Sequence, residues 1–153
     1  MTNHLVTLGH RRIGLLEGPE AMTFARHRRI GHAAALRAGG YDVDPALVLH
    51  GPMTVADGRR RATILLDRPD PPTAIVCGNV MLAEGVLAEA RSRGMAVPGD
   101  LSLLAHDDGL RRHRPDRLTP RSAAPHRRCD KRGRRWPRRW PTRSQAKGVG
   151  SAF

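Results

Sequence analysis

Three polar residues are spaced so that they could grip a small molecule: Arg28 in ARHRRIG, Asn79 in CGNV and Asp107 in AHDD. A guanidinium offers a planar fork of donors, an amide both donors and an acceptor, and a carboxylate acceptors alone. Together they make a polar clamp for a hydroxyl-rich or heterocyclic ligand. A structural reading competes with this one: an Asn just past a strand often caps the next helix, and an Arg on a helix is often merely solvated. His106, Asp107 and Asp108, with His113 nearby, are metal-ligand types. No second His/Asp pair stands at a metal spacing, so neither a metal nor another cofactor is expected. Gly-x-Ser-x-Gly and Gly-x-x-x-x-Gly-Lys are absent, and Gly31 and Gly39-Gly40 form no dinucleotide fingerprint. The chain therefore reads as a binder and not an enzyme. GHRRIG sets two arginines beside a histidine; a tight loop between a helix ending at Leu8 and a strand from Ile13 explains it better than a phosphate site.

The elements that must position the clamp follow from apolar periodicity. Strands are predicted at Ile13–Leu16, Ala46–His50, Thr73–Cys77 and Leu101–Ala105. Helices are predicted from Ala21 to Ala38 (stopped by Gly39-Gly40), from an N-cap at Thr54 to about Asp67, and from Val80 to Arg93 with Gly94 as its C-cap. Phe24, Ala25, Arg28, Ala35 and Leu36 carry the periodicity of the first helix. Met81, Leu82, Val86, Leu87 and Ala90 give the last one its apolar face. Strands alternating with helices predict an α/β fold with a parallel sheet and flanking helices. Such a sheet binds ligands beyond the carboxyl ends of its strands, where Asn79 and Asp107 fall. Arg28, two turns into its helix, reaches back towards the same edge.

Composition divides the 153 residues in two. Residues 1–110 hold 12 Arg, no Lys and 12 acidic residues and are net neutral, whereas residues 111–153 hold 15 basic residues against Asp116 and Asp130 and carry the whole +13. This basic segment includes CDKRGRRWPRRW, whose arginines and two tryptophans would suit phosphates and bases. With Leu118 and Val149 as its only aliphatics larger than alanine it cannot build a core, and disorder is expected. Two domains follow: 1–110 folded, 111–153 a tail. Cys77 and Cys129 are the sole cysteines, MTNHLVTLGHRR lacks an apolar signal core, and no run approaches a membrane span, so a reducing cytoplasm and no membrane partner are expected.

Three stretches carry a resemblance. His4-Leu5 followed by GHRRIG, Arg28 and Gly31 in RRIGHAAAL, and PPTAIVCGNVMLAEGVLAEARSRGMAVPGDLSLLAHDD (71–108) resemble, in order and spacing, the lactose-repressor (LacI/GalR) family of bacterial transcription regulators. That family reads Pro-Pro-Thr-Ala-Ile, an Asn-Asp pair, a small-residue helix and Val-Pro-x-Asp-Ile-Ser-Val-x-Gly-x-Asp-Asp. Val80 replaces the second member of the Asn-Asp pair, and Ala105 stands where Gly is usual. The resemblance implies one lobe of a periplasmic-binding-protein-like (type I) effector domain, a fold of two α/β lobes. It places Arg28, Asn79 and Asp107 at the family's ligand-gripping positions. It also implies a sugar or nucleobase-like effector and a homodimer.

On this reading residues 1–110 are mainly the C-terminal lobe, without the helix-turn-helix and without specific DNA binding of their own. Pro115–Thr119 matches a remnant of the family's Pro-x-Leu-Thr segment. Read two nucleotides on in GC-rich codons, Arg128–Gln145 yields a string resembling the family's next helix, as a frameshift near 119–127 would produce. Two other readings are a sugar-binding protein of a transport system and a non-specific nucleic-acid binder acting through the tail.

Overall fold

The computed structural model describes residues 1–106; Asp107 and the whole basic segment, with the expected tail disorder, lie outside the described residues. In chain order the elements are α1 (Thr2–Thr7), β1 (Ile13–Glu17), α2 (Thr23–Ala38), a 3-10 turn (Pro45–Leu47), β2 (Val48–His50), α3 (Val55–Leu66), β3 (Ala74–Cys77), α4 (Val80–Ser92) and β4 (Ser102–Ala105). All strand pairs are parallel and the order is β2-β1-β3-β4. Register sets Leu15 beside Val48, Gly14 beside Ile75 and Ala74 beside Ser102. From β1 the chain crosses through α2 to one side of the sheet, then returns through α3 to the other. The join between β1 and β3 is thus a topological switch point.

Alternation along the strands divides the core into two layers. Ile13, Leu15, Ala74 and Val76 face Leu5 of α1 and Leu36 of α2. Leu16, Ile75 and Cys77 face Leu65 of α3 and Leu82 and Val86 of α4. Helices on both faces are what a buried parallel sheet requires, and the strands accordingly read as apolar runs rather than alternating ones. Between α3 and α4 the backbones nearly touch: a Cβ on Gly85 would meet Val55 O, and one on Gly58 would meet Leu82 O. Only glycine fits at that crossing.

Local chemistry ends the elements where the sequence places the signals. Thr54 Oγ1 accepts the Asp57 N–H at 3.2 Å, and Asn79 Oδ1 accepts the Leu82 N–H at 2.9 Å, so both are side-chain N-caps. Gly94, with φ 70°, follows the α4 C-cap Arg93 by one residue. The differences also have causes. Asp44 Oδ1 accepts the Ala46 N–H and Pro45 fixes φ, so 45–47 winds into a 3-10 turn and the strand begins at Val48 instead of Ala46. Phe24 is exposed and lies against Arg28, 5.1 Å from guanidinium to ring, rather than in the core. Met81, at the open end of α4, is 48% exposed. Among the described residues no helix is long and apolar enough to cross a membrane.

Candidate functional site

The carboxyl ends of the four strands lie along one edge, formed by Glu17-Gly18, His50-Gly51, Cys77-Gly78-Asn79 and His106. Beneath it lies a charged residue that stitches the edge together. Arg61 of α3 is 1% exposed, and its Nη1 donates to Glu17 O and to Leu49 O, both at 2.8 Å. Its Nη2 donates to Pro52 O at 2.5 Å and pairs with Asp57 Oδ2 at 2.6 Å. One guanidinium therefore ties the ends of β1 and β2 to the following loop. Burial lowers the Arg61 pKa, and the Asp57 carboxylate beside it works against that shift.

Arg28 reaches the edge from α2, as expected. Its Nη1 donates to Gly78 O at 2.9 Å and stands 3.5 Å from Glu17 Oε2, while the side chain stays 29% exposed. Asn79 is adjacent, but its amide is engaged: Oδ1 caps α4 and Nδ2 donates to Met53 O at 3.1 Å. The capping role weighed for Asn79 is therefore real, and one further lone pair and one N–H remain for a ligand. Arg28 bonds the carbonyl of the residue before Asn79, so the two reach the edge from α2 and from the start of α4. His106, the residue before Asp107, ends β4 with its N–H on Cys77 O at 2.9 Å.

A groove of about 250 Å³ opens beside Arg28, between α1, α2 and the sheet, with Leu15, Val76, His32 and His106 among its walls. Burial lowers the pKa of both imidazoles, bringing His32 to about 4; Arg28 and the chain's N-terminal ammonium press His106 the same way. Both rings are thus disposed to be neutral at pH 7, whereas Arg28 and the Met1 ammonium bring positive charge to the groove. His32 Nδ1 is engaged by Thr2 Oγ1 at 3.0 Å. Burial pushes the Cys77 thiol far above its ordinary value, so it offers no thiolate near neutrality. Among the described residues no group of three or more His, Cys, Asp or Glu could hold a metal. The edge presents hydrogen-bonding groups and no metal-binding cluster among the described residues.

The pattern that defines the periplasmic binding protein-like domain matches residues 2–135. The chain belongs to that family. The match runs through Pro115–Thr119 and on within the basic segment. Within the family its relatives are LacI-type regulators. It is 43% identical over 115 residues to the HTH-type transcriptional regulator AglR of Rhizobium meliloti, covering 75% of this chain and 32% of that one. A putative LacI transcriptional regulator from Bacillus cereus superposes with a TM-score of 0.67 at 27% identity, over 68% of this chain and 37% of the other. A sugar-binding LacI-family regulator from Escherichia coli, complexed with phosphate, gives 0.65 at 30% identity, over 69% and 38%. The chain spans about a third of the length of the curated relatives it matches.

In a periplasmic-binding-protein-like lobe the open edge takes on significance beyond geometry, because that is where an α/β sheet receives ligand. Arg61 escaped the sequence reading, and of Glu17 only its place at a strand end was legible. Each is a charged residue in an otherwise ordinary apolar or helical context, and its burial comes from elements distant in the chain. For Glu17 a signal existed: a carboxylate closing the apolar run IGLL.

Proposed function

We infer that this chain is an effector-binding lobe of a LacI-type transcriptional regulator, with no catalytic role. It takes a sugar or nucleobase-like small molecule at the carboxyl edge of its sheet. The observation that carries this reading is Arg28, held by Gly78 O at the β1/β3 switch point with its side chain still part-exposed beside a groove. Arg28 supplies paired donors, Asn79 its remaining amide positions, and Asp107 a carboxylate acceptor. The chain's likeness to the sugar-binding LacI-family regulator of Escherichia coli supports the sugar class.

The same reading makes residues 1–110 the effector lobe and 111–153 a separate basic segment, in a cytoplasmic protein that pairs as a homodimer. DNA recognition is assigned to neither part. A thermal-denaturation screen of the full chain against neutral mono- and disaccharides and nucleosides tests it. A true effector at a hundredfold its Kd stabilises by about 2.7 kcal/mol. Arg28→Ala should abolish the gain; a gain that survives this substitution would remove Arg28 from the site.

A further inference from the structure

Glu17 closes β1 on the side facing α2, in line with Ile13 and Leu15, and it is fully buried. A carboxylate there is costly; the Gly18 N–H and the Arg28 guanidinium favour its charged form, but neither meets full hydrogen-bond geometry with its oxygens. Space for it exists because Gly78 has no side chain: a Cβ there would sit 2.7 Å from Glu17 Oε2. Two basic groups from other elements face it. Arg28 Nη1 lies at 3.5 Å, and His50, at the end of the neighbouring strand, holds Gly18 O at 3.1 Å through Nδ1. The Arg28 guanidinium thus has one edge turned into the lobe towards Gly78 O and Glu17, and one face on Phe24.

We propose that Glu17 is the positioning residue for Arg28, and that its carboxylate makes this edge select neutral hydroxyl- or amide-bearing effectors over phosphorylated or carboxylated ones. The counter-charge comes from inside the lobe. Arg28 is fixed in direction before any ligand arrives, and its positive field is already compensated. An anionic ligand would bring a second negative group to a cation that has one, whereas a neutral hydroxyl needs only the free N–H groups. Burial raises the Glu17 pKa and the facing Arg28 lowers it, as two groups sensing each other should. The selectivity rests on the reading of Arg28 as an effector residue, whereas the pairing does not.

The pairing is measured on the full chain without effector, by NMR of labelled arginine and glutamate side chains, with Arg28 assigned from the Arg28→Lys spectrum. Glu17→Gln and Glu17→Ala should shift the Arg28 guanidinium resonances and speed its rotation. Arg28→Met, a change at a part-exposed site, should raise the Glu17 titration midpoint by about one unit or more. Unchanged Arg28 resonances, or an unchanged Glu17 midpoint, overturns the pairing and leaves the effector reading standing. The selectivity is measured with inorganic phosphate as probe, above the Glu17 midpoint. Glu17→Gln should respond at Arg28 at a roughly threefold or more lower phosphate concentration than the wild type. Equal responses, including none in either protein, overturn it.

Discussion

Removing Arg61 should unfasten the site edge from below, and the structure sets the size of the effect. Arg61→Met keeps the apolar stem and deletes the guanidinium. It strands three carbonyl oxygens (Glu17, Leu49 and Pro52) and leaves the Asp57 carboxylate to Arg60. If each were left wholly unsatisfied the cost would be about 1–3 kcal/mol apiece. Pro52 is exposed and Leu49 only partly buried, so water can reach part of the set, and the expected loss falls to about 3–5 kcal/mol. For a domain of this size that lowers Tm by roughly 12 °C or more. Arg60 is the internal control: it also pairs with Asp57, at 2.6 Å, but its side chain is 62% exposed. Arg60→Met should cost less than about 1 kcal/mol. Urea unfolding followed by far-UV circular dichroism measures both. Arg61→Met falling within about 1 kcal/mol of Arg60→Met would refute the account of Arg61 as the stitch of the edge.

Other expectations are simpler to state. Asn79→Ala loses the α4 cap and the bond to Met53 O and should cost about 1–2 kcal/mol in the same assay, with Asn79→Asp, which keeps the cap acceptor, costing less. The Glu17 pKa is raised above its ordinary value by burial, against Arg28, so the folded chain holds that proton more tightly than the unfolded one. Its contribution to stability therefore declines as pH rises from the ordinary glutamate range through the folded value. Glu17→Gln should remove that decline, matching the wild type near pH 4 and exceeding it at pH 7; a less stable variant at pH 7 would count against the burial argument. A synthetic peptide of residues 111–153 should bind duplex DNA of any sequence, with log K falling by about 0.9 per phosphate contacted for each tenfold rise in salt. Sequence preference in an electrophoretic shift with that peptide, or with the full chain, would contradict a merely electrostatic role.

Most of the framework was legible because its signals are local. Thr54 and Asn79 announce helix starts through a side-chain oxygen within reach of an N–H three residues on. The apolar run Ile13–Leu16 marks a strand buried on both faces. Tertiary geometry hid the rest. Arg61 in GRRRA is indistinguishable by sequence from Arg60, yet a turn of about 100° sends one under the sheet edge and the other into solvent. Phe24 carries the helical periodicity of α2 but, one residue into the helix, lies exposed on Arg28 and not in the core. Of the three candidate site residues, the position of Arg28 follows from helical reach, Asn79 caps α4, and Asp107 lies outside the described residues.

The central claim is that ligand enters at this edge. Chemical-shift mapping on the full chain, with the sugar or nucleoside that most stabilises it, tests that most directly. The account predicts saturable shifts at the Arg28 side chain and at the amides of Gly78, Asn79 and His106, all lost in Arg28→Ala. Saturable shifts confined to the outer faces of α3 and α4, with Arg28 silent, would contradict it.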